Sequence, residues 1–461
     1  MAEWLNKISN VLWSFPVVLL LFLLGLYFTV KLKFLQIKFL PKSFRYMFEK
    51  EKGADGDITG FGALCTELAA TLGTGNIVGV AAAIKLGGAG SLFWMAVTGI
   101  LMMAVKYAES LLAVKFRIRI NGKMSGGPFF YIEKGMGKRY KPLAKIFAFF
   151  GSAAGLLGMG TVTQIKAVTS AIGNFFDPEN EKTVNLFGGD FSVFICISAV
   201  IFSVLTLLVL VGGVKRIAKV SETFVPLMAF IYLFFCLVII FTNFNRILDI
   251  IILILKDAFS FKGITAGGSC GFILSLKVGL TRGIFTNEAG LGTAPIAAAS
   301  AKTNSPFKQS VISMSGVFLD TVVMCTLTGF TILLALENKN LDATEMVSSA
   351  FKNGINFLND RWVEGILTFC LVFFAFSTII GWNFFAFSCF SYLSNGKFLK
   401  IYNGLYVFAV LVGAFVPFAA VLNLADIFNA LMLIPNVIAL IFLRGIVIEE
   451  TKKIKRQGKG K

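Results

Sequence analysis

The chain has 461 residues, of which 56% are hydrophobic and 15% charged, with 50 Phe and a formal net charge of +18; the mean hydropathy is +0.80. This apolar load lies outside soluble globular usage and marks a polytopic membrane protein. The positive charge is dispersed over many short loops instead of gathering on one domain, so no nucleic acid partner is expected. The absence of histidine removes imidazole metal sites, Ser-His triads and histidine proton relays together.

The first residues, "MAEWLNKISNVLWSFPVVLLLFLLGLYFTV", lack a strongly basic start and a small-residue cleavage site, so they predict a retained first span. A window of about 20 apolar residues then gives eleven expected transmembrane helices. They fall near 12–30, 61–84, 91–114, 146–174, 191–212, 222–243, 264–300, 309–336, 365–393, 402–421 and 424–445. Seven cysteines (Cys65, Cys196, Cys236, Cys270, Cys325, Cys370, Cys389) lie in apolar stretches without metal-ligand spacing, and read as small buried hydrophobes. The segments "KLKFLQIKFLPKSFRYMFEKEK" and "GGPFFYIEKGMG" look amphipathic, which predicts that both lie on the leaflet among lipid headgroups.

Two spans break the pattern. The stretch "LGTGNIVGVAAAIKL" (72–86) puts two glycines, Thr74 and Asn76 in the middle of an apolar run, all poor helix formers. The run 264–300, with "GITAGGSCGF" and "NEAGLGTAPIA", is too long and too rich in glycine for one straight helix. Bare backbone at that depth is tolerable only where it lines a cavity or finds ligands.

Lysine and arginine fix an expected orientation. Thirty of the 43 lie in loops that face one side and nine in loops that face the other, with Lys106, Lys166, Lys277 and Arg282 inside spans. The basic side is the cytoplasmic one, so the N-terminus is expected outside and the C-terminus inside the cell (inner) membrane. Spans two to six and seven to eleven then form two halves of five. An odd number per half inverts the second, and each half opens with a broken span, the pointer to a transport site at the midplane. The expected divisions are 1–58 for an extra helix and a cytoplasmic amphipathic segment, 59–245 and 246–447 for the two halves, and 448–461 for a basic tail.

Charges inside spans read as functional by default. Lys106 and Glu109, at i and i+3, are expected to pair on one helix face. Glu67 reads as an interfacial or gate residue, and Arg282, Glu288, Asp320 and Asp426 as candidates for gating pairs. Lys166 is expected to snorkel or to meet a carboxylate.

The segments "TLGTGNIVGVAAAI", "VKYAESLLAVKFR", "GGVKRIAKVSE", "RGIFTNEAGLGTAPIAAA", "SMSGVFLDTVVMCT", "TIIGW" and "LADIFNALMLIPNVIAL" resemble, in order, the signatures of the alanine or glycine:cation symporter family. The resemblance implies an all-α, leucine-transporter-like 5+5 inverted repeat of the amino acid-polyamine-organocation superfamily, with one extra N-terminal helix. It also implies sodium-coupled import of alanine or glycine, without a cofactor. Carried over by position, the substrate contacts would be Thr74, Gly75, Asn76, Gln164, Phe285, Ala289, Gly290, Thr378 and Trp382. The sodium would take carbonyls at Ala69, Leu72 and Phe374 with the hydroxyls of Ser377 and Thr378. Family members often carry asparagines around the glutamine, where this chain has Thr161 and Lys166, and a histidine where it has Ala298.

Other function classes fare worse. No repeated filter or pore ring suggests a channel, no catalytic constellation suggests an enzyme, and no GxxxxGK[ST] sequence supports an ATP-driven pump. The runner-up is a symporter for small neutral amino acids coupled to protons through Glu67, Glu109 or Glu288.

Overall fold

A computed structural model of the chain describes residues 2–457 other than 50, 52, 121, 187–188, 261–270, 337–340, 356 and 417. Part of the expected span 264–300, with Cys270, lies outside the described residues; the other six cysteines are free, as expected of small hydrophobes.

Eight helices among the described residues are long and apolar enough to cross a membrane: Trp4–Lys31, Gly90–Lys115, Lys138–Phe176, Val193–Val211, Gly213–Thr242, Pro306–Ala335, Asp360–Leu393 and Val421–Phe442. The expected span 402–421 appears as a 15-residue helix, Leu399–Gly413. The two remaining expected spans are each divided. The first consists of Gly60–Thr71, a 3-10 turn at Thr74–Asn76 and Val78–Gly87. Its start is fixed by Thr59, whose hydroxyl accepts from Gly62 N at 2.8 Å. The second consists of Phe272–Asn287 and Ala294–Ala299. Between them Glu288 has φ 51°, Gly290 φ 92° and Gly292 φ 83°. Two glycines carry most of that left-handed backbone without a Cβ penalty.

A third interruption was not expected. The span 146–174 parts at 158–161, between Lys141–Leu157 and Val162–Phe176. Tyr406 Oη lies 2.8 Å from Gly160 O and 2.7 Å from Ile379 O, so a tertiary contact takes up backbone that the helix releases.

The segment 126–137 corrects a sequence expectation. Pro128–Phe130 and the π-helical turn Tyr131–Met136 are covered by protein instead of lying on lipid: Phe129 and Ile132 are fully buried. Phe129 stacks on Tyr392 at 4.9 Å between ring centroids. The run of aromatic side chains that made the segment look amphipathic packs inward on neighbouring helices. By contrast, the helix Leu35–Phe48 keeps Ile37, Phe44 and Phe48 exposed on an apolar stripe.

One end of the bundle is stitched shut. Ser300 O accepts from Asp57 N at 2.8 Å, and Ile58 O accepts from Lys302 N at 2.7 Å, so the start of the first broken helix is tied to the end of the second. Arg117, beside the hairpin Ile118–Ile120/Lys123–Ser125, clamps the same junction. Its guanidinium donates to Ala299 O at 2.9 Å, Ala301 O at 2.8 Å, Asp55 O at 2.9 Å and Thr303 O. At the rim, Lys308 pairs with Glu49 at 2.8 Å and Glu51 at 3.2 Å.

Candidate functional site

The first break sets the site. In a continuous helix Gly73 N would donate to Ala69 O; here it donates to Asn76 Oδ1 at 3.1 Å, so the Ala69 carbonyl leaves the helical ladder. Ser377, on the long helix Asp360–Leu393, places its hydroxyl 3.4 Å from Ala69 O and 2.8 Å from Phe374 O. Thr378 Oγ1 donates to Phe374 O at 3.0 Å. Ala69 O, Phe374 O and both hydroxyls therefore form one oxygen cluster, the donor type a hard cation requires. Leu72, with ψ 93°, is the first residue out of the helix.

The neighbouring groups converge on Gly73. A methyl added there would meet Thr378 Oγ1 at 3.1 Å and Gln164 Oε1 at 3.9 Å. Gln164 is 5% exposed, and its Oε1 has no protein partner. A buried acceptor without a donor costs about 1–3 kcal/mol, which a ligand with an N–H would recover. Gly75 is exposed, whereas Gly73 and Asn76 are buried, so the backbone of the break is reachable. Thr74, half-buried, begins the short turn.

Other expected contacts have their polar groups engaged. Asn76 Nδ2 donates to Asp320 Oδ1 at 2.7 Å while its Oδ1 caps Gly73, so this side chain holds the turn in place. Gly290 N and Gly292 N both donate to Glu109 Oε1 at 3.1 Å, and Asn436 Nδ2 bonds Glu109 Oε1 and Gly290 O. Ala289 N donates to Asn287 Oδ1 at 2.9 Å. Trp382 is 1% exposed and donates from Nε1 to Glu288 Oε1 at 3.2 Å. Phe285 packs on Trp13 of the first span, with ring centroids 4.2 Å apart, and Trp13 Nε1 donates to Asp426 O at 2.9 Å.

Several buried charges differ from expectation. Lys106 and Glu109 make no ion pair: the N–H groups of the second break and Asn436 all bond Glu109 Oε1, and Glu109 Oε2 is left without a hydrogen-bond partner. Lys106 Nζ has no hydrogen-bond partner. Glu67 is not interfacial: it is 3% exposed, one turn before the first break, and accepts from Ser313 Oγ at 2.7 Å. Lys166 meets a carbonyl, Ala414 O at 3.1 Å, and no carboxylate. Glu288 and Asp320 bond to neutral groups, and Arg282 and Asp426 sense each other's charge without direct contact.

Sequence reasoning missed two contributors, Thr286 and Trp13, and expected a different role for a third, Asp320. Thr286 faces the first break, its methyl carbon 3.7 Å from where a Gly75 side chain would begin, and its hydroxyl lies 3.2 Å from Thr321 Oγ1. It stands inside "RGIFTNEAG", so its place beside the break was available as a signal. Asp320, expected in a gating pair, instead anchors Asn76 from the π-helical turn Phe318–Cys325; Trp13 packs on Phe285 and has no local sequence signal.

The profile described as "Sodium:alanine symporter family" matches residues 1–461. An uncharacterized transporter of Haemophilus influenzae is 44% identical over 97% of this chain and 95% of its own length. The sodium/alanine symporter AgcS of Methanococcus maripaludis is 39% identical over 97% and 96%. Among solved structures, MhsT in complex with L-phenylalanine superposes with a TM-score of 0.60 at 16% identity, covering 85% of this chain and 90% of that one. The fold is thus the leucine-transporter-like one, and the function is transport rather than catalysis. A multi-pass membrane protein with two broken helices and a matching profile along its whole length, the chain belongs to the sodium:alanine symporter family.

Proposed function

We propose that this secondary amino acid transporter imports alanine, glycine or both together with sodium, by alternating access around the first break. The observation that carries the reading is the juxtaposition at Gly73. A carbonyl released from its helix and the Ser377 and Thr378 hydroxyls offer oxygens to a hard cation, beside a buried amide oxygen without a donor. In this reading the Ala69, Leu72, Phe374, Ser377 and Thr378 oxygens hold sodium. The exposed backbone at Thr74 and Gly75 takes the substrate carboxylate, and Gln164 accepts from its ammonium. Thr378 lies between the two ligands. Phe285, Ala289, Gly290 and Trp382 form the wall of the second break, and Asn76 keeps the turn in shape. The relative named as a sodium/alanine symporter supports both ligands.

The energetics are adequate. One sodium with a neutral zwitterion moves one charge, worth about 2.3 kcal/mol per 100 mV, and a tenfold sodium gradient adds about 1.4 kcal/mol. With the basic loops, including the Arg117 junction, on the cytoplasmic side, the stitched end is the inner exit.

A second reading, proton coupling, draws on Glu67, whose Oε2 is buried without a partner. Uptake of a radiolabelled amino acid panel into proteoliposomes at fixed pH, with and without an inward sodium gradient, separates the two. Alanine and glycine uptake should require sodium. Uptake indifferent to sodium but driven by a pH gradient would replace sodium with the proton.

A further inference from the structure

Beside the two broken helices lies a small buried chamber that the proposed site does not use. It has a volume of about 10 Å³ and is lined by Glu67, Thr71, Lys106, Asn287, Ser313 and Asp320, among others. That is the room of one water molecule. Glu67 and Thr71 come from the first broken helix, one turn apart, and Asn287 is the last helical residue before the second break. The chamber therefore touches both elements that carry the breaks, on a different side of the first broken helix from Ser377.

Its lining is made for a cation. Carboxylate, hydroxyl and amide groups, the donor types of a hard ion, stand in its wall beside Leu68, Gly316 and Val317. An ionised carboxylate at this depth calls for a positive charge beside it. Among the buried carboxylates nearby, Glu109 accepts three bonds, from Gly290 N, Gly292 N and Asn436. Glu288 accepts two, from Thr293 and Trp382, and Asp320 is held by Asn76 and Thr321. Glu67 accepts the fewest bonds, one, from Ser313 to Oε1, and its Oε2, like Glu109 Oε2, has no partner. A buried carboxylate left uncompensated is costly by several kcal/mol.

The cation that faces it is part of the chain. Lys106 is 3% exposed, its Nζ has no partner, and its charge acts on Glu67, Glu109, Glu288 and Asp320 alike. One water in the chamber can accept from Nζ and donate to Glu67 Oε2, which joins two of the three orphaned atoms, Glu109 Oε2 being the third. Lys166 is occupied at Ala414, and Arg282 is paired electrostatically with Asp426.

We infer that the chamber is a second cation site whose resident cation is the Lys106 ammonium, so that the protein binds one mobile sodium, at the Ser377 cluster, and not two. The inference rests on the sodium coupling proposed above. Lys106 thus sets ion stoichiometry: it does by covalent attachment what a second sodium would do, joining the two broken helices through their carboxylate and amide oxygens.

The test counts sodium ions. Equilibrium binding of radioactive sodium to the purified full-length protein, at saturating alanine, should give one ion per chain. Lys106→Met ends one heavy atom short of the ammonium and vacates its place, so the count should rise to two. Lys106→Met combined with Glu67→Gln should return it to one. Retained alanine binding in each variant establishes that it is folded. A count of one in a folded Lys106→Met protein overturns the inference, and so does a count of two in the unsubstituted chain, which needs no variant to fold. A count of zero in the unsubstituted chain refutes sodium coupling itself, an outcome distinct from either.

Discussion

Arg117 offers the most exacting test of how the stitched end is held. Its guanidinium satisfies four backbone carbonyls, two of which, Ala299 O and Ala301 O, belong to the end of the second broken helix. Hydrogen bonds to a charged group are worth about 1.5–3 kcal/mol each. Counting only those two, at the lower figure because the site is part-buried, Arg117→Ala should weaken closure by about 3 kcal/mol. That is roughly a hundredfold change in the ratio of closed to open forms. Ala297 is fully buried two residues before Ala299, so a cysteine placed there reports opening through its rate of maleimide labelling. Labelling of Ala297→Cys should be slow in the presence of Arg117 and faster by one to two orders of magnitude in Arg117→Ala. Arg117→Lys should be intermediate, since one ammonium cannot span acceptors that a fork of five N–H donors reaches. A labelling rate that stays within about twofold in Arg117→Ala would show that the Ile58–Ala301 bridge closes this end alone.

The other expectations follow from single atoms. Gln164→Ala should weaken alanine binding by about 1–3 kcal/mol and leave thermal stability unchanged, because Oε1 has no protein partner to lose; wild-type affinity by calorimetry would remove Gln164 from the site. Thr378→Val keeps the shape and deletes one oxygen of the cluster. It should raise half-saturation for sodium several-fold, and by linkage high sodium should restore part of the alanine affinity; an unchanged sodium curve would place the ion elsewhere. At the rim, the Lys308 hydrogen bond and charge hold Glu49 below its usual range. Burial pushes Glu51 upward, but bonds from Asn304, Lys308 and Thr303 outweigh it and hold that carboxyl low as well. Depressed carboxylates stabilise above their unfolded value of about 4.3 and lose that contribution as pH falls through the folded one. Melting in detergent should therefore show an acid loss below about pH 4 that Lys308→Met reduces; an identical acid limb in both proteins would refute the assignment.

The breaks at Gly73–Asn76 and at Glu288–Thr293 were legible because glycine and small polar residues interrupt apolar runs that must otherwise be helical. The break at 158–161 was not, although Gly158 and Gly160 stand there in plain sight. The carbonyl of Gly160 is met by Tyr406, 246 residues away in sequence, and no local pattern records such a contact. The same limit explains Lys106 and Glu109. Spacing along one helix placed them together, but no bond forms: the N–H groups of the second break bind Glu109 Oε1, and Glu109 Oε2 and Lys106 Nζ are each without a partner. Phe285 came only from the family resemblance, and its partner Trp13, in the first span, had no signal of either kind. The segment 126–137 misled for a simpler reason: periodicity reports that one face is apolar, not whether lipid or protein covers it.

The Glu109 carboxylate has a consequence for symmetry. Inverted halves would present two equivalent receptors for an anion, one at each break, and a chain built that way could hold two carboxylates at once. Here one receptor is permanently filled by a side chain of the protein, with Asn436 as its clasp. If the halves are related by a pseudo-twofold, it is broken here: the N–H groups of the second break are taken by a side chain of the protein, and in the proposed function only the first break, at Thr74 and Gly75, is left to receive a substrate carboxylate.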